Sequence, residues 1–330
     1  MHFQLAPMDI EQVDDEQRQT LTRRMAAYSA NAMNAALDVD RIFVAHTDFV
    51  STVRALDRVF QLGKELSVAQ GVSLIGPPGS GKTSLLRYFQ ASLPQSSLFE
   101  TGLGMLTVRL PERPSLGPIV SALLKRLRYP FPTVSHQTVG IKRSLLIEAL
   151  VSNGTRLIGF DEAGHMCGSG VKKPEGAKTG NEITEFIREL IDEAHVAVAL
   201  CGDEQLASLD RIDCALGERV TVRQRMSDFS SNASWNGLLA AFARQCKAFD
   251  ISFICQDTQP ETIHKATKGN ARRTKALLIE AVLIAVDKGL AGLNNAVMGE
   301  AFALVNGTAS LEANPWRASA LTDGKRDAAK

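Results

Sequence analysis

One short stretch, from Val72 to Ser84, constrains this chain more than any other. It reads Val-Ser-Leu-Ile-Gly-Pro-Pro-Gly-Ser-Gly-Lys-Thr-Ser, which is a short apolar run, a glycine-rich turn and the start of a helix. The turn fits the pattern G-x-x-x-x-G-K-[ST], in which backbone N–H groups and a helix N-terminus face an anion. Its glycines permit backbone angles and close approaches that a side chain would block. The stretch therefore predicts a phosphate-binding P-loop between a buried strand and a helix.

Two side chains of this loop carry the expected chemistry. Lys82 supplies a mobile positive charge for the outer phosphates, and Thr83 places a hydroxyl where Mg²⁺ would sit. The loop alone indicates only that a nucleoside triphosphate binds. Its predicted binding residues are Gly76, Pro77, Pro78, Gly79, Ser80, Gly81, Lys82, Thr83 and Ser84.

A second apolar run, from Arg156 to Glu162, ends in two carboxylates and fits the Walker B pattern. In a parallel sheet both motifs emerge at the carboxyl edge, where ligands bind. Asp161 is expected to hold Mg²⁺, directly or through water. Glu162 is expected to polarise the attacking water. Together the two motifs indicate hydrolysis of the bound nucleotide.

Two further stretches follow along the chain. Val196 to Asp203 reads as a buried strand, and Asp203 is a candidate to lie between Glu162 and the γ-phosphate. Glu218 to Arg225 reads as a short strand-like run with three arginines. Arginine suits the clamping of a transferring phosphate, often from a neighbouring subunit, although a solvated basic edge is the alternative.

Charge and cysteine content limit the classes of function. The net charge of +1 gives no global attraction to nucleic acid or to an anionic membrane. The five cysteines are odd in number and lack C-x-x-C spacing, so free thiols in a reducing cytoplasm fit better than a zinc site. No apolar run approaches the length of a membrane span, and no signal peptide is apparent. We therefore expect a cytoplasmic protein without membrane contact.

The order of the motifs carries a resemblance. GPPGSGKT, LIGFDEAGH, a strand ending in CGD, an arginine cluster and GNARR in a helical region follow one another. This order resembles the AAA+ ATPases of the initiator/loader type. Within them, the residues Asp161 to His165 and the RIFVAH segment before the P-loop resemble the TniB/TnsC/MuB transposition regulators, over residues 40–305.

The resemblance implies a fold and a domain order. The fold is α/β, an AAA+ P-loop three-layer αβα sandwich with a parallel five-stranded sheet and a small all-helical lid domain. Residues 1–40 are expected to form an N-terminal helical extension, 41–230 the nucleotide-binding domain, 231–308 the lid and 309–330 a flexible tail. In that tail, Trp316 is the one residue that could anchor a partner.

The resemblance also implies a function and further site residues. It implies ATP and Mg²⁺ as cofactors, hydrolysis as an assembly switch, and a homo-oligomeric ring or filament on double-stranded DNA. This assembly would bridge a target-selection protein of the TniQ/TnsD type to transposase subunits. By position, Asp203 falls at sensor 1, where Asn or Thr is more usual, and Arg272 at sensor 2. The trans arginine finger is expected at Arg219, with Arg223 next and Arg211 still open.

A ring would multiply a few cations per subunit into a basic channel for DNA phosphates. The candidate DNA contacts are Arg113, Lys142, Arg143, Lys172 and Lys173. Three alternatives remain: an ATP-bound scaffold with negligible hydrolysis, another AAA+ ATPase of replication or secretion, and a small-molecule P-loop kinase. The helical lid with GNARR and the adjacent Asp-Glu pair argue against the kinase.

Overall fold

A computed structural model describes residues 28–63, 65, 69–93, 104–135, 137–168, 180–307 and 314–316. The chain divides into two compact units. The first, here called the α/β unit, is the continuous segment Ala45–Asp228. The second, the helical unit, combines the residues up to Val44 with those from Phe229 onward. Within the described ranges, no helix has both the length and the apolar character that a bilayer crossing requires.

The α/β unit is built on a five-stranded parallel sheet, as the resemblance implies. Its strands lie in the order β2-β3-β4-β1-β5, so the P-loop strand β1 is flanked by β4 and β5. The strands are β1 Gly71–Ile75, β2 Met105–Arg109, β3 Leu157–Asp161, β4 Ala197–Gly202 and β5 Val222–Arg225. The first and third strands are buried at every residue, which is typical of a parallel sheet with helices on both faces.

Alternation along the strands sorts side chains into two cores. On β3, Ile158 and Phe160 pack into the core on one face of the sheet, whereas Leu157 packs into the core on the other. Because side chains alternate with a period of two, Asp161 shares the face of Leu157, the face covered by the helix after the P-loop. The helices of this unit are α2 Thr47–Leu62, α3 Lys82–Ser92, α4 Leu116–Arg126, α5 Val139–Ser152, α6 Glu182–Asp192, α7 Leu209–Ile212 and α8 Cys214–Arg219.

The helical unit has its own apolar core, which includes the fully buried Trp235. Asparagine side chains cap several of its helices by accepting backbone N–H groups, as Asn232, Asn270 and Asn294 do. Such caps stabilise a helix by about 1 kcal/mol each. The helices of this unit are α1 Ala30–Arg41, α9 Ala233–Gln245, α10 Gln259–Thr267, α11 Ala271–Asp287 and α12 Asn295–Asn306.

Helix α1 packs with the helices of the C-terminal part of the chain. Its buried Ala32 and Ala36 share a core cluster with Leu283 of α11. Asp38 accepts the backbone N–H groups of Lys247 and Ala248 at 2.6 and 2.9 Å, and these hydrogen bonds lower the pKa of its carboxyl. The described end of the predicted N-terminal extension is thus part of the helical unit, while residues 1–27 lie outside the described residues.

The expectation that Trp316 anchors a partner is wrong. Its side chain is 1% exposed and packs with Phe302 at 6.1 Å between ring centroids. Its indole Nε1–H donates to the Gln259 Oε1 atom at 3.0 Å, which satisfies the one polar group of the ring. Asn314 accepts the backbone N–H of Trp316 and donates to the carbonyl of Gly299. The described part of the predicted flexible tail is therefore held on the helical unit.

The strand-like reading of Glu218 to Arg225 is also wrong in its first half. Helix α8 runs through Arg219, and only Val222–Arg225 pairs with β1. The buried Asp213 begins this short helix by accepting the backbone N–H of Leu216. Because the run lacks helical periodicity, this N-cap is the feature that stabilises the start of the helix.

Candidate nucleotide-binding site

The P-loop lies at the carboxyl end of β1, between β4 and β5. Gly79 and Gly81 have φ values of 86° and 100°, in the left-handed region that favours glycine. Gly76 donates its N–H to the carbonyl of Gly202 at 3.1 Å, which joins the start of the loop to the end of β4. A Cβ atom at Gly76 would lie 2.2 Å from the carbonyl oxygen of Met226, so no side chain fits there.

Ser80 adds an unsatisfied donor to this loop. Its hydroxyl is buried and has no hydrogen-bond partner among the described residues. An unpaired buried polar group costs about 1–3 kcal/mol, and such a cost is expected where a ligand oxygen completes the site. Ser80 therefore fits the predicted phosphate-binding role, alongside the half-buried Thr83 and the exposed Pro78 and Ser84.

Lys82 begins helix α3 and turns back over the loop. Its Nζ donates to the carbonyl oxygens of Gly76 and Pro77 at 2.6 and 2.9 Å. Burial lowers the pKa of this ammonium, while the nearby Cys201, Glu162, Asp161 and Asp203 act in the opposite direction. A partly desolvated cation beside the loop is poised to exchange a carbonyl for a phosphate oxygen, which is a stronger, charge-assisted acceptor.

The two predicted Mg²⁺ ligands lie together. Thr83 donates its hydroxyl to the Asp161 Oδ2 atom at 2.9 Å, and Asp161 Oδ1 accepts the backbone N–H of Glu162 at 3.2 Å. A hydroxyl and a carboxylate are hard oxygen ligands, and Mg²⁺ usually takes few protein ligands beside phosphates and waters. The described ranges hold no group of three or more His, Cys, Asp or Glu residues suited to a metal. The Thr83–Asp161 pair therefore fits a Mg²⁺ ion that is bound together with a nucleotide. Such an ion, when present, would neutralise phosphate charge.

Glu162 follows Asp161 in a left-handed backbone conformation, with a φ of 56°. This angle is uncommon outside glycine, and the residue lies directly after β3, at the sheet's carboxyl edge. The described structure adds a partner that the sequence did not indicate. The Arg109 Nη2 atom lies 3.4 Å from Glu162 Oε1, and both side chains are exposed. Arg109 ends β2 in register with Asp161, so only the strand order reveals this neighbour.

Asp203 lies at the end of β4, close to the residues after Glu162. Its carboxylate accepts the backbone N–H of Gln205 at 3.1 Å and caps a short 3₁₀ helix, Glu204–Ser208. A Cβ atom at Gly164 would lie 2.4 Å from Asp203 Oδ1, which places the two turns in contact. The carboxyl edge thus brings Asp203, Asp161 and Lys82 into one region, and its role as sensor 1 stays a prediction.

Both candidate finger arginines are held by carboxylates of their own chain. The Arg219 Nε and Nη2 atoms each lie 2.9 Å from an oxygen of Asp192, and Nη1 donates to the carbonyl of Ala215. Arg223 forms a similar fork with Asp210, at 2.7 and 2.8 Å. These contacts raise the pKa of both guanidinium groups, chiefly through the hydrogen bonds to the carboxylates. The Arg211 side chain is exposed.

The remaining predicted residues are dispersed. Arg113 is exposed in the segment between β2 and α4. Lys142 and Arg143 lie in the first part of α5, where they contact the carbonyl of Phe131 and the carboxylate of Glu189. Lys172 and Lys173 lie outside the described residues. Arg272 is exposed in the first turn of α11, in the helical unit, and its role as sensor 2 stays a prediction.

Comparisons with solved structures identify the fold. The ORC1 protein of Aeropyrum pernix, in complex with DNA, aligns with a TM-score of 0.58 and 19% identity over 79% of this chain and 66% of its own. The ORC2 protein of the same organism, in ADPNP–ADP complexes, gives 0.56 and 17% over 77% and 67%. The Drosophila ORC bound to DNA gives 0.53 and 14% over 95% and 71%. The chain thus spans about two thirds of the length of the archaeal proteins, and the shared fold is that of AAA+ ATPases.

No curated protein matches the chain. The sequence nevertheless matches a family model, which is more specific than the shared fold. The model of the bacterial TniB protein family matches residues 35–226, which contain the P-loop, the Asp161-Glu162 pair and all five strands. This match covers more than half of the chain. The protein therefore belongs to the TniB family and is an AAA+ ATPase in fold.

Proposed function

We propose that this protein is an ATP-switched, DNA-binding regulator of transposition. In this proposal it oligomerises on target DNA and bridges a target-selection complex to the transposase. The observation that carries it is the Lys82–Thr83–Asp161–Glu162 constellation at the edge of an AAA+ sheet in a TniB-family chain. Two structures with this fold are complexes with DNA, which supports DNA as the template of assembly.

The chain's own residues perform separate parts of the cycle. Lys82 and the backbone N–H groups of the P-loop bind the phosphates, and Thr83 with Asp161 holds the Mg²⁺ ion. Glu162 orients and polarises the attacking water. The exposed Arg109 lies beside one oxygen of this carboxylate, Oε1, and separation of the two makes both oxygens available to the attacking water. Such an exposed pair is weak, so it separates at little cost.

A neighbouring subunit completes the site with an arginine. ATP binding therefore favours the oligomer and hydrolysis favours its release, by linkage between the two equilibria. Arg219 is the proposed finger. To act, its guanidinium exchanges the Asp192 carboxylate for the phosphate of the adjoining subunit, and before that exchange the intrachain fork holds the side chain in place.

Replacing Arg219 by alanine is expected to lower ATP hydrolysis on DNA by about 10³-fold, because a trans arginine stabilises the transition-state charge. Hydrolysis is measured by phosphate release. Mixing this variant with Lys82→Ala should restore activity, since a Lys82→Ala subunit donates an intact Arg219 to a neighbour with an intact P-loop. The matched control is Arg225→Ala, which removes an exposed arginine paired with Glu204 and should change little. A mixture as inactive as its components would contradict the role in trans, and loss with Arg223→Ala instead would move the finger there.

The proposed function as a whole is tested by electron microscopy and DNA binding with an ATP analogue, with ADP and without nucleotide. We expect oligomers on duplex DNA with the analogue and weak, salt-sensitive binding otherwise. Equal affinity in all three states, or a monomer with the analogue and DNA, would overturn the switch. A transposase that gains no activity from the assembly would favour the alternative, another AAA+ ATPase of replication or secretion.

A further inference from the structure

The segment between β2 and β3 concentrates positive charge. Residues 113–147 contain no aspartate or glutamate, although the net charge of the chain is only +1. The remainder of the chain is therefore net negative. The cations of the segment are Arg113, Lys125, Arg126, Arg128, Lys142 and Arg143. A run of one sign over residues 113–147, which include α4 and the first part of α5, produces a local potential that the whole-chain charge conceals.

Two of these cations are used inside the fold. Lys142 donates its Nζ to the carbonyl of Phe131 at 2.7 Å and lies 4.9 Å from the ring centroid of Tyr129. Arg143 forms an ion pair with Glu189 of α6, and its guanidinium lies 5.9 Å from the ring centroid of Phe186. Both side chains therefore stabilise the start of α5 and the preceding loop. They are poor DNA contacts because binding would break these interactions.

The turn that ends α4 has the opposite character. Lys125 and Arg126 occupy the last turn of the helix, and Arg128 follows it. All three side chains are exposed, and none forms an ion pair with any residue that the structure describes. Phe131, a few residues later, is 74% exposed. The turn thus carries three exposed cations, followed by a solvent-exposed aromatic ring. Lys142 holds this segment through its hydrogen bond to the carbonyl of Phe131.

Arg128 occupies a position where folding favours glycine. Its φ is 56°, and it donates its N–H to the carbonyl of Lys125 at 3.1 Å, while Tyr129 donates to Leu124 at 2.9 Å. This pair of bonds is the Schellman motif, whose left-handed residue is usually glycine. A cation near a helix C-terminus interacts favourably with the helix dipole, but Lys125 and Arg126 already provide such cations. The backbone at Arg128 is thus strained, although its side chain forms no ion pair with a described residue that would offset the strain.

We infer that this cationic turn, Lys125 to Phe131, binds the phosphate backbone of duplex DNA. The inference rests on the proposed function, and it moves the DNA-binding surface from the start of α5 to the end of α4. The cations contact phosphates, and Phe131 adds an apolar contact to the sugar edge. The observation that favours DNA is the closely spaced row of exposed cations Lys125, Arg126 and Arg128, because most hydrogen bonds in protein–DNA complexes go from such side chains to the phosphate and sugar backbone.

Arg128→Gly gives a test in which stability and binding move in opposite directions. Glycine relieves the left-handed strain, so the melting temperature should stay equal or rise by a few degrees. Binding to a duplex in the presence of an ATP analogue should weaken roughly fivefold, and the slope of log K against log salt should fall by about 1. Fluorescence anisotropy over a salt series measures both quantities. Unchanged affinity and slope would overturn the inference.

A matched pair of variants controls for general loss of charge. Arg126→Ala and Arg244→Ala each remove an exposed arginine from the last turn of a helix, α4 or α9. Only Arg126→Ala should weaken binding and reduce the salt slope, and Phe131→Ala should weaken binding without changing the slope. Equal effects of the pair would contradict a specific surface. If the parent protein binds no duplex in any nucleotide state, the proposed function fails with it, whereas intact binding in all turn variants refutes the inference alone.

Discussion

Replacing Glu162 by glutamine is expected to lower ATP hydrolysis by about 10²- to 10⁴-fold while leaving ATP binding intact, because an amide cannot accept a proton from water. The P-loop, Lys82 and the Thr83–Asp161 pair are unchanged in this variant, so the phosphates keep their ligands. The assembly on DNA should consequently persist after ATP addition. Phosphate release, nucleotide titration and the lifetime of the DNA complex measure the three effects.

Glu204→Gln is the matched control for this variant. It makes the same chemical change at an exposed carboxylate of the α/β unit, which pairs with Arg225 rather than with the site. It should leave hydrolysis within about twofold, since a surface ion pair contributes little. If Glu162→Gln changes neither hydrolysis nor the lifetime of the complex, the protein is an ATP-bound scaffold whose hydrolysis is negligible, and the switch is refuted.

Replacing Gly76 by alanine is expected to lower the free energy of unfolding by about 3 kcal/mol and to abolish nucleotide binding. The added Cβ would lie 2.2 Å from the Met226 carbonyl oxygen and 3.0 Å from Ser80 Oγ. Met226 cannot yield easily, because its N–H donates to the carbonyl of Ile75 at 2.9 Å and continues the pairing of β5 with β1. The strain therefore falls on the P-loop. Chemical denaturation and nucleotide titration are the measurements.

Gly140→Ala separates this effect from a general cost of replacing glycine. Gly140 lies in α5, and its Cβ would meet nothing within 4 Å. Alanine there should stabilise the protein by up to about 1 kcal/mol, since glycine costs more backbone entropy in a helix. Equal destabilisation by the two variants would show that the contact with Met226 does not limit position 76.

The features that the sequence predicted are those that local patterns encode. The P-loop glycines, the apolar strand before them and the Leu157–Asp161 strand all follow from short-range spacing, and the fold class is confirmed. Strand alternation then explains why Asp161 reaches Thr83, because residues two apart share a face of the sheet. Helices were also expected over residues 231–308, where the structure has α9 to α12.

Features that depend on distant partners were not predictable in this way. Arg219 ends a helix that a buried N-cap, Asp213, begins, and its fork with Asp192 joins elements far apart in the chain. Trp316 is buried because Gln259 and Phe302 receive it, although its neighbours in sequence are small and polar. Arg109 meets Glu162 only because β2 neighbours β3. The partners of these side chains, Asp192, Gln259 and Glu162, lie outside any window in which periodicity operates.

The discontinuous helical unit has a consequence for synthesis. Helix α1 leaves the ribosome early, but its partner α11 follows the whole α/β unit. At translation rates of about 5–20 residues per second, the nucleotide-binding sheet is complete on the order of 10 s before α12 emerges. During that interval the apolar face of α1 has no partner from its own unit. The P-loop of a nascent chain is thus complete before α11 emerges to pack with α1. The order of translation therefore separates formation of the nucleotide-binding site from completion of the helical unit.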